Sequence, residues 1–313
     1  MVPLALHSVS YAGVWPGQAR ISLRQFIPKA AQLGFDAVML MAKRPHLSLL
    51  DMTPAARLEI KQLADGHGVR IAVIAGYNDF GAGADVPDVP LREMQIYYIG
   101  ELARLAGDLG CPIVRIFTVF ERDMVPYRTS WNHAVTSLRE ASRRAADFGV
   151  TLGVQNHHDL ALHCDSMCEL LGEISEPNCK ACFDAWSHAA VECVADSDFR
   201  QDGSDLAAAV RKMAPYLVHT TVADYVHRPR YKYQPALVNY IREMDALHAV
   251  PMGEGFLNYA AFFEALAEIG YAGCVAYEMC SPLRGGGSEE NLDNYARRFI
   301  DVMKSLAARP SKG

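Results

Sequence analysis

Runs of lysine or arginine and long apolar stretches are both missing from this 313-residue chain, whose formal net charge is −6. Without a basic block there is no electrostatic footprint for a nucleic-acid backbone or an anionic membrane surface. No segment approaches the roughly 20 apolar residues of a membrane span. The start, Met1 to His7, has neither a basic region nor an extended apolar one. These absences predict a soluble cytoplasmic protein whose partner is a small molecule, with no nucleic-acid or membrane partner. The eight cysteines are scattered through apolar stretches, which reads as reduced core thiols and excludes a disulfide framework. Cys164, Cys168, Cys179 and Cys182 have zinc-like spacings. An offset of three on one strand, however, puts Cys179 and Cys182 on opposite faces, where thiolates cannot converge tetrahedrally. No Gly-x-Gly-x-x-Gly fingerprint follows the first strand-like run, which disfavours an open, doubly wound dinucleotide-binding sheet.

What the chain does have is alternation. Apolar strand-like runs fall at residues 3–7, 37–41, 69–76, 112–118, 150–156, 179–184, 217–222 and 273–279. Between and after them lie helix-period segments at 23–33, 54–66, 91–109, 130–148, 166–174, 206–213, 259–269 and 289–306. Thr53-Pro54 opens one helix as a cap and first-turn proline, and Gly34, Gly110, Gly149 and Gly270 close others just before the next strand. Repeated helix, glycine, strand handovers imply parallel strands with crossover helices, and eight of them predict a single (β/α)8 TIM barrel. One domain is expected over residues 1–309, followed by a disordered tail at 310–313. The longer connections, at 77–90, 187–205 and 224–258, read as loops and all follow the C-terminal ends of strands, where a barrel builds its active site.

The stretch 151–159, Thr-Leu-Gly-Val-Gln-Asn-His-His-Asp, is an apolar strand ending in polar, metal-capable side chains. Alternation puts Gln155 and His157 on one face and predicts that His158 points away. In a barrel, the ends of strands five to eight present Gln155, Asp184, His219 and Glu278 together. Three oxygen donors and one imidazole suit a divalent cation, Mn²⁺ or Mg²⁺ before Co²⁺ or Zn²⁺ because oxygen dominates.

With these residues placed, the chain resembles the xylose isomerase-like barrel superfamily, the sugar phosphate isomerase/epimerase group. The resemblance is carried by Cys182-Phe183-Asp184-Ala-Trp-Ser-His188, by Val218-His219-Thr-Thr-Val-Ala-Asp224, by Gly253-Glu254-Gly255 and by Val275-Ala-Tyr-Glu278. It implies that Asp184, His219 and Glu278 bind a divalent metal with the fifth-strand residue. Gln155 stands where that group has glutamate, and a carboxamide brings no charge and takes no proton near neutral pH. The resemblance assigns paired acid and base work to the fifth- and eighth-strand glutamates, of which Glu278 remains. His157 is the replacement base, because an imidazole titrates near working pH.

Expected substrate contacts are His188, Trp186, Arg228, Arg230 and Glu254. Arg284-Gly-Gly-Gly-Ser288 reads as a mobile loop capping the last helix, with Glu289 and Glu290 arguing against a phosphate cradle there. Two enzyme readings follow. The first is a lyase cleaving 3-oxo-glycosides by β-elimination, similar to the alpha subunit of bacterial C-glycoside deglycosidases, which pairs with a small beta subunit. The alternative is a sugar isomerase or ketose 3-epimerase, and either enzyme is also a candidate homo-oligomer. A third possibility is a non-catalytic barrel subunit, while an apurinic endonuclease is disfavoured by the acidic charge.

Overall fold

The computed structural model describes residues 2–86, 88–195 and 205–307. The tail at 310–313, expected to be disordered, lies outside the described residues. The parallel strands β1 (Leu4–His7), β2 (Ala37–Met41), β3 (Arg70–Ala75), β4 (Ile113–Ile116), β5 (Thr151–Gln155), β6 (Cys179–Asp184), β7 (Leu217–Val222) and β10 (Val275–Tyr277) close into a barrel in which β1 pairs with both β2 and β10. Around it run α1 (Leu23–Leu33), α2 (Pro54–Gly66), α3 (Leu91–Leu109), α4 (Tyr127–Ala146), α5 (Cys164–Ile174), α6 (Ala185–Ala195), α7 (Leu206–Met213), α8 (Tyr259–Glu268) and α9 (Glu289–Ala307). The single (β/α)8 barrel expected from the alternation is what forms. No helix among the described residues is long and apolar enough to cross a membrane.

Local chemistry explains the joints. Ser22 and Gln25 cap α1 reciprocally, and Thr53 accepts from the Ala56 N–H at 3.2 Å ahead of Pro54. Gly34, Gly110, Gly149 and Gly270 take φ of +93°, +68°, +67° and +67°, a turn that L residues adopt only with strain. Strand parity then sorts the core. Leu152, Val154 and Phe183 pack outward under the helices, whereas small residues such as Ala5, Ala37, Ala75 and Ala276 fill the barrel interior. Gly153 is inward-facing, and a Cβ there would come within 2.4 Å of Cys182 Sγ, so the barrel closes over a position that has no side chain.

Two connections differ from the loops expected. The one after β6 begins as α6; residues 196–204 of that connection lie outside the described residues. The one after β7 is an antiparallel hairpin, β8 (Asp224–Gln234) and β9 (Asn239–Val250), turned by Pro235–Leu237. Its alternating Tyr231-Lys232-Tyr233 is a strand signal. The Arg284 to Ser288 segment is tied down as well as capping α9. Ala19 N–H donates to the Gly287 carbonyl at 2.7 Å, Asn291 Nδ2 to Gly286 at 2.7 Å, and Ser288 Oγ accepts from Asn291 N–H at 3.2 Å.

Candidate active site

Four inward positions gather at the C-terminal mouth. Gln155 ends β5, Asp184 ends β6, Thr221 lies near the end of β7, and Glu278 follows β10 by one residue. Gln155 Nε2 donates to Asp184 Oδ2 at 3.3 Å and to Thr221 Oγ1 at 3.2 Å, and Ser187 Oγ donates to Asp184 Oδ2 at 2.9 Å. Asn156, on the opposite face, accepts from the Asp184 N–H at 2.6 Å and donates to its carbonyl at 3.0 Å, locking the backbone of that residue. Asp184 is fully buried, and its Oδ1 has no hydrogen-bond partner among the described residues. Burial raises the Asp184 pKa well above the ordinary carboxylate range, and the nearby Glu278 raises it further. Glu278 is raised by burial and eased down by Arg115.

These groups suit a hard divalent cation. Two buried carboxylates beside a carboxamide and a hydroxyl form an oxygen-rich set, and Asp184 Oδ1 is an acceptor that meets no donor in hydrogen-bond geometry among the described residues. His219, expected in this set, lies one step deeper in the barrel. It pairs in register with Cys182, while Thr221 pairs with Asp184. Neither His219 ring nitrogen meets hydrogen-bond geometry among the described residues. Burial, with Arg115 adding to it, pushes its pKa down to about 3, against a smaller opposing pull from the Cys274 carbonyl. Among the described residues, the His, Cys, Asp or Glu triad whose ligand atoms lie within 4.8 Å of one another is His163, Cys164 and His188, not Asp184, His219 and Glu278.

His157 lies just past β5 in a cavity of about 410 Å³ lined by Tyr77, Asn78, Phe117, Phe120 and His158 among others. Its Nδ1 is 3.0 Å from Nδ1 of His158, whose ring packs on Phe117 and Phe120 with centroids 4.1 and 3.8 Å away. Burial first, then His158 and Arg115, lowers the His157 pKa to about 4, so the ring is neutral and able to accept a proton. A larger groove of about 620 Å³ runs along α3 and α4, on the outer helical layer.

The other expected contacts sit on α6, on β8 and in the segment after β9. His188 is buried on α6, 4.8 Å from the His163 ring and 5.5 Å from Phe183. Trp186 is half-buried and packs on Tyr225 at 4.7 Å. Arg228 and Arg230 are exposed on β8, where Arg230 pairs with Glu243 across the hairpin at 2.9 Å. Glu254 is exposed and paired with Arg284. The flanking glycines have another use, donating from Gly253 and Gly255 N–H to Asp224 Oδ2 at 2.8 and 2.9 Å. Arg228 and Arg230 follow β7 as expected but stand with exposed side chains on a strand of the hairpin, and Glu254 lies past its end.

Two residues were missed. Arg115, on β4, is 2 % exposed, with its guanidinium carbon 4.1 Å from the Phe117 ring and 4.9 Å from the Tyr77 ring, and Nη1 donates to the Gly76 carbonyl at 2.9 Å. Its inward parity with Ile113 and Phe117 was the available signal. His7 ends β1 with Nε2 3.8 Å from Glu278 Oε2, while its Nδ1 accepts from the Val9 N–H at 3.2 Å. That bond fixes the ring hydrogen on Nε2, facing the glutamate.

A family profile described as xylose isomerase-like TIM barrel matches residues 27–306, and the chain belongs to that family. It is 23 % identical over 322 residues to a D-psicose 3-epimerase of Ruminiclostridium cellulolyticum, covering 95 % of this chain and 96 % of that one. The structure of a D-psicose 3-epimerase with D-tagatose from Clostridium cellulolyticum superposes with a TM-score of 0.71 at 17 % identity, over 97 % of this chain and 99 % of that one. A xylose isomerase-like barrel protein from Mycobacterium smegmatis, in complex with magnesium, gives 0.68 at 15 % identity, over 98 % and 97 %.

Proposed function

We propose that this protein is a divalent-metal-dependent sugar enzyme that moves a proton at the carbon beside a ketose carbonyl, an isomerase or 3-epimerase. The observation that carries the reading is the buried mouth itself. Gln155 is bonded to Asp184 there, Glu278 is near enough to raise the Asp184 pKa, and His157, two residues past Gln155, lines a neighbouring cavity of the size that holds small ligands. The epimerase relative supports the same chemistry. Asp184, Glu278 and the carboxamide oxygen of Gln155 would hold the cation, which when bound polarises the substrate carbonyl. Mn²⁺ or Mg²⁺ suits these donors best. Glu278 takes and returns the proton on its side, with the Nε2–H of His7 turned toward it. His157, neutral in its cavity, is the second proton-transfer group, needed because Gln155 cannot titrate. Phe117, Phe120 and Tyr77 supply the apolar wall of that cavity.

The uncharged Gln155 also favours a second reading, β-elimination from a 3-oxo-glycoside, because a lyase needs one base where an epimerase needs two. That reading would bring a small second subunit with it. Incubating the protein with Mn²⁺ and a ketohexose in D₂O, and separately with a 3-oxo-glycoside, separates the two by proton NMR. Deuterium beside the carbonyl together with a C3 epimer is the expected result, and aglycone release without epimer would transfer the case to the lyase. Absence of both wash-in and product would sink each. Gln155→Glu sharpens the choice, since restoring the second carboxylate should raise epimerisation and tighten Mn²⁺ binding.

A further inference from the structure

We infer that the hydroxyl of Thr221, and not the imidazole of His219, completes the cation ring, so that this chain grips its metal through oxygen alone. The inference rests on the metal-dependent reading above and concerns which strand-seven residue takes part. β7 sends His219 and Thr221 to the same interior face, two positions and therefore one layer apart. The ladders decide between the layers. Thr221 stands opposite Asp184 on β6 and opposite Ala276 on β10, two residues short of Glu278, whereas His219 stands opposite Cys182.

The side chains agree with the ladders. One nitrogen of Gln155 reaches both Thr221 Oγ1 and Asp184 Oδ2, at 3.2 and 3.3 Å, which puts those two oxygens and the carboxamide around a common point. A Mg²⁺ or Mn²⁺ ion about 2.1 Å from each ligand requires ligand atoms no more than about 4.2 Å apart. Asp184, His219 and Glu278 together do not bring ligand atoms within 4.8 Å of one another. Turning the Gln155 amide by half a revolution exchanges its nitrogen for its oxygen. Carboxylate and carboxamide then face one another as acceptors, an arrangement that a cation at the common point stabilises. Threonine hydroxyls hold Mg²⁺ elsewhere in this manner, as in phosphate-binding loops. With Gln155 and Thr221 neutral, Asp184 and Glu278 alone balance the two positive charges. Loss of imidazole also removes the nitrogen donor that would favour Zn²⁺.

The test is Mn²⁺ binding to the full-length protein, followed by calorimetry and by electron spin-echo modulation. Mn²⁺ is the probe because the His163, Cys164 and His188 cluster would compete for Zn²⁺. The wild type should bind one Mn²⁺ at the mouth with no imidazole-nitrogen modulation. Thr221→Val should weaken binding by on the order of tenfold or more, Thr221→Ser should restore it, and His219→Asn should leave it within about threefold. Imidazole coupling in the wild type, which needs no variant to fold, overturns the inference while sparing the metal-dependent reading. So does binding that survives Thr221→Val and is lost in His219→Asn. A wild type that binds neither Mn²⁺ nor Mg²⁺ overturns both.

Discussion

The barrel mouth and the β8–β9 hairpin both grow from the C-terminal ends of strands, and they distribute polarity in opposite ways. At the mouth, Gln155, Asp184, Thr221 and Glu278 are 0–6 % exposed, polar groups kept from water and pointed at one another. On the hairpin, Tyr231, Leu237, Val238, Tyr240 and Met244 are 62–79 % exposed, while Arg230 and Glu243 neutralise each other at the surface. Polar atoms withheld from solvent are costly unless they do chemistry or are bonded. Charged residues on the hairpin carry no such implication, which is why the mouth is the site proposed.

That contrast is open to breakage. Glu278→Gln removes a ring oxygen charge and a proton acceptor together, and turnover should drop about a thousandfold; an active variant measured with saturating Mn²⁺ would dissolve the distinction. Next comes His157→Ala, expected to cost about a hundredfold in kcat with Mn²⁺ binding unchanged, so that lost metal in calorimetry would recast His157 as a ligand. A smaller effect concerns acid. Burial holds His46 below its usual 6.5, with the Ile21 carbonyl 3.1 Å away as a partial offset. A neutral imidazole in the fold and a chain that takes a proton when unfolded mean that stability falls as pH drops below about 6.5 and on toward the lower folded value. Urea midpoints at pH 7 and pH 5 should therefore converge in His46→Gln relative to wild type. Least of all, Arg230→Ala should leave kcat/KM unaltered and move the urea-derived stability by about 0.5 kcal/mol or less. A large loss of activity there would restore the hairpin to the site.

The barrel was legible because eight alternating runs met glycine handovers, two independent local signals that agree. Much of the mouth was legible too, since parity alone aims Gln155, Asp184 and Glu278 inward. Parity cannot choose between His219 and Thr221, which share a face, because the layer depends on how β7 slides against β6 and β10. Those ladders are long-range. The hairpin was read as a loop since its strands are exposed on both sides and lack an apolar stripe. Arg115 and His7 were overlooked as single polar residues in apolar runs, where only their neighbours across the barrel reveal what they face.

The three-residue β10 positions Glu278 and is flanked by β7 on one side and β1 on the other. Half of the scaffold for that glutamate is therefore supplied by Leu4, Ala5 and Leu6, almost the whole length of the chain away. Damage to this short opening segment, by nicking or by a bulky fusion, would be felt first as a misaligned carboxylate at the far end of the polypeptide, with most of the remaining architecture still standing.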